Sequence, residues 1–403
     1  MEDLKRKYAK FLIEGCLNLK EGDKLFVIGY QVIEDFIHLV VDEAHKMGID
    51  DVKTFIRDPF KQKEIYLTKT YEEIIKDPNM DQTIYNQMAR EGYAFLRLTS
   101  PIPNLFDGVD VEVLSRVNAY QMKSIEEYKN YQLKGLIKWN ISAVPNLFWV
   151  KDIGLNSEEE LWNIIFDICF IREENPLEAW KSELEFLKKR AHYLNQLKID
   201  KLIYKNSLGT FLEIGLPKDY LFQSADDGSG NGNIVNMPTK EVFTSPDRYR
   251  INGVVYASKP LLYKENLIEG FWLKFDKGKI VEYDALKGKD ILKGIIETDE
   301  GSHYLGEVAF VDYDNAISRT NLLFKETLYD ENASSHLAIG EAFSECIKGG
   351  LEKSREELLE LGLNMSHEHV DFFIGTSDLE IKAVLQNGEE TVIMKDGNFV
   401  EVK

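Results

Sequence analysis

Short apolar runs separated by amphipathic segments set the tightest limit on how the first half of this chain folds. Residues Leu4 to Leu19 place Tyr8, Phe11, Leu12 and Cys16 at helical spacing, and Glu21-Gly22-Asp23 then turns into Leu25-Phe26-Val27-Ile28. A helix spaced on Phe36, Val40 and Ala44 runs from about Val32 to Met47, stops at Gly48, and gives way to Val52-Lys53-Thr54-Phe55-Ile56. Strands joined through a helix return parallel, because only antiparallel neighbours can be linked by a tight turn. The β-α-β rhythm therefore predicts a mostly parallel sheet with helices on both faces. It continues through helices near 61–77 and 81–91, a strand at 93–98, a helix at about 119–131, a strand at 136–141, and helices near 158–170 and 175–197.

After about Ile199 the pattern changes. Leu202–Asn206 and Thr210–Gly215 read as a hairpin, followed by strands at 253–257, 271–275, 279–284, 370–375, 381–385 and 391–394 with short helices between. A chain of 403 residues exceeds what one hydrophobic core usually supports. The expected division is an N-terminal α/β domain over 1–198 and an α+β C-terminal, metal-binding catalytic domain over 199–403.

The formal charge is 49 − 69 = −20. Phosphates are repelled from most of such a surface, which argues against nucleic-acid or anionic-membrane partners. Cys16, Cys169 and Cys346 are far apart and match no zinc or disulfide framework, so reduced, buried thiols are expected. The start Met1-Glu2-Asp3-Leu4-Lys5 opens a charged helix rather than a signal peptide, and no apolar run reaches the ~18 residues of a membrane span. A cytoplasmic setting is expected.

Chemistry concentrates in the second half. Glu241 precedes Val242-Phe243-Thr244, and Glu307 sits inside Leu305-Gly306-Glu307-Val308-Ala309-Phe310. Glu331 and His336 share one short segment, and His369 and Asp371 flank Val370 before Phe372-Phe373-Ile374. Carboxylates and imidazoles among β-branched and aromatic residues are costly to bury without a partner, and one or two divalent cations are such a partner. On a strand, His369 and Asp371 point the same way. Asp330 through His336 reads as a loop entering a helix that continues through Phe343, with Asn332 or Ser334 as cap. Blander readings stand beside these: solvent-facing side chains on edge strands for Glu241, Glu307, His369 and Asp371, and a helix-dipole role for Glu331. The loop Asp226–Gly232 lacks the Gly-x-Gly-x-x-Gly spacing, no helix with a ribose-binding acid follows it, and it reads as a plain flexible loop.

These segments resemble the aminopeptidase T / aminopeptidase S / PepS family of two-metal, leucyl-type metallo-aminopeptidases. The match is carried by Asn236 through Asp247, Gly301 through Val311, Leu328 through Gly340 and His369 through Gly375, with support from Ala257 through Leu261 and Tyr8 through Val52. The resemblance implies a homodimeric exopeptidase acting on peptides with a free N-terminus. It implies metal ligands at Glu241, Glu307, Glu331, His336, His369 and Asp371, and leaves zinc, cobalt, manganese and magnesium open. Glu331 and Glu307 are the candidates for relaying a proton from water to the leaving amine.

One departure stands out. The family carries a tyrosine seven residues after the first metal histidine; this chain has Phe343, read here as lying on the same helix face. A lost oxyanion donor typically costs about 10²–10³-fold in rate. The alternative expectation is therefore a catalytically weakened, metal-binding paralogue with a binding or regulatory role. Lys240, beside Glu241, is expected to add positive charge to the cleft.

Overall fold

The computed structural model describes residues 1–224, 232–263 and 266–400. The chain forms two compact units, one comprising Met1–Trp180 with the described part of 226–238, the other Lys181–Ala225 and Thr239–Lys403. Most of the long helix Pro176–Gln196 thus belongs with the second unit, while Asn236–Met237 pairs in parallel with a strand of the first. Of the glycine-rich loop read from the sequence, residues 226–231 lie outside the described residues.

In the first unit, β1 (Lys24–Tyr30), β2 (Asp51–Arg57), β3 (Ala94–Thr99) and β4 (Trp139–Ala143) form a parallel sheet. Its order is β2-β1-β3-β4, extended by Asn236–Met237, and all its pairings are parallel. The expected α/β architecture is present. Leu25-Phe26-Val27-Ile28 is buried on both faces, as a central parallel strand requires. Helices enter through side-chain caps. Asp58 accepts from the amides of Phe60 and Lys61 ahead of Pro59, and Asn146 accepts from those of Phe148 and Trp149. The second cap starts a six-residue helix, Leu147–Asp152, that hydrophobic spacing does not reveal. The stretch expected as one helix over 119–131 is two, Val111–Ser124 and Glu126–Leu133, broken at Ile125.

The second unit is built on two large antiparallel sheets, with a two-stranded one formed by 261–263 and 266–268. The larger runs in the order 279–284, 272–276, 251–256, 211–215, 199–205, 380–385, 390–395, 398–399. The smaller runs 369–373, 336–340, 305–310, 242–244, 223–224. Both contribute to one core that includes Leu202, Ile214, Ile381, Val308, Leu337 and Phe372. Cys16, Cys169 and Cys346 are buried and form no disulfide among the described residues.

Candidate metal centre

The small sheet of the second unit has one apolar face and one charged face, and side-chain alternation makes both. Val242, Val308, Phe310, Leu337, Ile339, Val370 and Phe372 all go into the core. The intervening residues must then share the opposite face. Pairing aligns Glu307 with Ala338 and Ala338 with Asp371, while His336 lies level with Ala309 and Ala309 with Phe243. Glu241 and His369 fall two residues from Phe243 and Asp371. Five of the six candidate ligands therefore meet on one sheet face, with the small side chains of Ala309 and Ala338 between them.

Two details of the backbone aim these groups. The register of the Glu307 strand shifts between Leu305 and Glu307. Such a bulge bends the strand and redirects the next side chain. Only glycine fits at position 306, because a Cβ there would stand 2.0 Å from the carbonyl oxygen of Glu341. The second detail is Asn332, fully buried, whose Oδ1 accepts from the amide of Lys240 at 2.6 Å and whose Nδ2 donates to the carbonyl of Leu328 at 2.9 Å. Asn332 thus ties the backbone just before Glu241 to the short helix Thr327–Glu331. Sequence reasoning treats it only as a possible helix cap.

The expected helix after His336 is corrected. Residues His336–Gly340 are a fully buried strand between the Glu307 and Asp371 strands, and the helix of this region precedes it. A short run such as Leu337-Ala338-Ile339 fits a buried strand or a buried helix equally by periodicity. Tertiary pairing decides here: the Ser335 hydroxyl donates to the carbonyl of Val311 at 2.9 Å and accepts from its amide at 3.1 Å, locking the entry to the strand. Phe343 therefore reaches the site from beyond the strand and not from a helix face. Its ring centroid is 4.9 Å from that of His369 and 5.5 Å from that of Phe243.

The donor atoms form two overlapping triads, Glu241–Glu307–His336 and Glu307–His369–Asp371, and within each the atoms lie within 4.8 Å of one another. His336 Nε2 is 3.4 Å from Glu241, and His369 Nε2 is 3.1 Å from Glu307 and 3.3 Å from Asp371. Both rings are oriented from behind. His336 Nδ1 donates to the carbonyl of Ser334 at 3.1 Å, and His369 Nδ1 donates to that of Glu341 at 2.8 Å. A backbone acceptor on Nδ1 fixes the tautomer that leaves Nε2 available as a ligand. Asp371 Oδ1 is buried with no hydrogen-bond partner of sound geometry.

Glu331 belongs to neither triad. Its Oε1 accepts from Asn332 Nδ2 at 3.3 Å. Burial pushes its carboxyl well above the ordinary carboxylate range, and the fields of Glu241, Asp371 and Glu307 push it further. Burial likewise raises Glu241 to about 7, with His336 opposing. Burial would lower His369, yet Asp371 and Glu307 hold it well above its usual value; His336 is raised by Glu241, Glu307 and Asp371 against the same burial. Asp371 is lowered, because the two imidazoles outweigh its burial. Four carboxylates face two imidazoles. The expected help from Lys240 does not arrive, since its ammonium is buried 3.0 Å from Glu183. The donor set fits divalent cations: negative, oxygen-rich, pre-oriented, with one buried acceptor left over.

Beside the triads lies a cavity of about 300 Å³ whose lining includes Tyr263, Glu326, Asp330, Glu331, His369 and Asp371. The family model for thermophilic metalloproteases, M29, matches residues 1–399. The chain belongs to this family. It is 37% identical to aminopeptidase AmpS of Bacillus subtilis over 97% of both chains, and 33% identical to aminopeptidase PepS of Streptococcus thermophilus over 98% of this chain and 97% of that one. The solved structure of wild-type AmpT from Thermus thermophilus superposes with a TM-score of 0.89 at 31% identity, covering 99% of this chain and 100% of that one. A 2,5-dihydroxypyridine dioxygenase from Pseudomonas putida, at 10% identity and a TM-score of 0.55, shares the fold alone. This M29 chain is a metal-dependent hydrolase of the aminopeptidase class.

Proposed function

We propose that residues 199–403 carry a two-metal centre that removes N-terminal residues from peptides with a free N-terminus. One observation carries the reading: the two triads share Glu307. In this assignment Glu307 would serve both ions, with Glu241 and His336 holding one and His369 and Asp371 the other. Zinc, cobalt, manganese and magnesium all suit a set of carboxylates and imidazoles without thiolate. When bound, divalent ions there would supply Lewis acidity and lower the pKa of the attacking water.

The chain's own groups do the rest. Glu331, withdrawn from both triads, is the proton carrier; its carboxylate takes a proton from the attacking water and returns it to the amine as the C–N bond breaks. Asn332 Nδ2 holds that carboxylate in place. The acidic lining of the adjacent cavity, Glu326 and Asp330 included, favours the α-ammonium of an unblocked N-terminus. His336 and His369 are kept in register by their backbone acceptors.

A second reading keeps the metal site but weakens catalysis, and Phe343 beside the His369 ring favours it, since a phenyl group offers no oxyanion donor. A panel of aminoacyl p-nitroanilides, assayed after chelation and metal addition, separates the two. Metal-restored turnover of free aminoacyl substrates, absent with N-acetylated ones, supports the peptidase. Two bound ions without turnover on any substrate support the paralogue. A homodimer and a cytoplasmic setting complete the proposal. Among the described residues no helix is long and apolar enough to cross a membrane, and light scattering of the purified protein tests the dimer.

A further inference from the structure

The first unit holds a cavity of about 310 Å³ that the hydrolytic centre does not use. It lies over the sheet face that carries Tyr30, Arg57, Phe95, Arg97 and Ile141. Register brings these to one side, with Tyr30 paired to Arg57 and Arg97 level with Ile28 and Ile141. The order β2-β1-β3-β4 makes β1 and β3 the point where successive connections depart in opposite directions. Open parallel sheets bind ligands at such a point, toward the carboxyl ends of the strands. Tyr30 and Arg57 are the last residues of β1 and β2, and from there the lining runs back along the same face to Phe95 and Trp139 near the starts of β3 and β4.

The lining has a consistent chemistry. Arg57, Arg97 and Lys129 contribute to it, and among the described residues no carboxylate does. In a chain of formal charge −20 that is a local inversion. Among the described residues, none of the three has an ion-pair partner within 4.0 Å. Arg57 Nε is buried with no hydrogen-bond partner, while its guanidinium sits 5.2 Å from the centroid of the Tyr30 ring. A stacked guanidinium with an unused donor is pre-organised for a planar anion. The remaining walls are largely aromatic and amide, with Tyr66, Tyr85, Tyr128 and Trp139 beside Gln82 and Gln121.

We propose that this cavity is a binding site for a small aromatic anion, a planar ring bearing one phosphate or carboxylate. The ring lies against the tyrosine and tryptophan walls, and the anion meets Arg57, Arg97 and Lys129. A volume near 310 Å³ is at the small end of ligand pockets and limits the occupant to about the size of a mononucleotide or an acylated aromatic amino acid.

Calorimetric titration of the full-length, metal-loaded protein tests this with four probes: adenosine 5′-monophosphate, N-acetylphenylalanine, neutral adenosine and inorganic phosphate. One of the first two binds at a single site, and its identity tells phosphate from carboxylate. Adenosine and inorganic phosphate alone each bind at least about tenfold more weakly. Arg57→Gln and Arg97→Gln each weaken the tighter probe by about tenfold and leave turnover of an aminoacyl anilide within about twofold. Arg97 is exposed, so its variant keeps the test open if Arg57→Gln folds poorly. Binding that survives both arginine substitutions but vanishes in Glu307→Gln belongs to the metal centre and overturns the proposal. So does the absence of binding below about millimolar concentration.

Discussion

The two units gather like charges in opposite ways. In the second, three carboxylates and two imidazoles crowd one sheet face with Glu331 beside them, and burial drives Glu241 up to about 7 and pushes Glu331 well above the ordinary carboxylate range. In the first, Arg57 and Lys129 are half-buried and Arg97 is exposed around an open cavity. Water can screen the cations of the first unit when no ligand is present. It cannot reach the acids of the second to the same degree, so that face needs a resident counter-charge. Buried like charge marks a permanent partner; solvated like charge marks an exchangeable one.

The sharpest way to break this contrast is Glu307→Gln. Because Glu307 belongs to both triads, turnover should fall by about 10³-fold and both ions should be lost. Metal analysis and calorimetry would detect this, and the metal-free Tm should not drop, because one repelling charge has gone. A variant that keeps two ions and near-normal turnover removes Glu307 from its shared position.

Chelation of the native protein should lower Tm by about 5–15 °C. What remains should then depend on pH with a defined sign. Glu241 and Glu331 bind their protons more tightly when folded than when unfolded, so their contribution is full below about pH 4.5 and is lost as pH rises through the folded values, about 7 for Glu241. The raised imidazoles of His336 and His369 act in the same direction at higher pH. Urea titrations of metal-free protein between pH 4.5 and 8 should show falling stability. The metal-loaded protein should show a flatter profile, and stability that rises in the metal-free form would contradict the contrast.

Asn332→Ala cuts the tie between the Lys240 backbone and the Glu331 helix. Metal affinity should fall about 10–100-fold while circular dichroism stays unchanged, as for other groups that hold ligands from behind. The smallest effect is expected from Phe343→Tyr. A hydroxyl introduced beside the His369 ring should raise kcat by about tenfold with little change in KM. An unchanged kcat would mean that another donor already serves the oxyanion.

Much of this was legible in the residues. The apolar runs around Val27, Phe55 and Leu96 announce the parallel sheet, because helix-length spacers leave no other pairing. Glu307 and His369-Val370-Asp371 stand out because charge interrupts strands that otherwise read as core. The segment after His336 was not legible, since three consecutive apolar residues carry no period that separates helix from strand. The clamp made by Asn332, read in sequence only as a possible helix cap, and the space left by Ala309 and Ala338 were not legible either. An amide clamp and an empty space acquire meaning only when distant strands are brought together. Lys240 misled for a related reason: its neighbour Glu241 faces the site, while its own ammonium turns to Glu183.

The most direct measurement is anomalous diffraction from crystals soaked in manganese or cobalt. Two peaks about 3.5–4 Å apart are expected on the small sheet, one within reach of Glu241, Glu307 and His336 and the other of Glu307, His369 and Asp371. A single peak, or density only at sites that exclude Glu307, would contradict the shared-carboxylate centre on which the proposed peptidase mechanism rests.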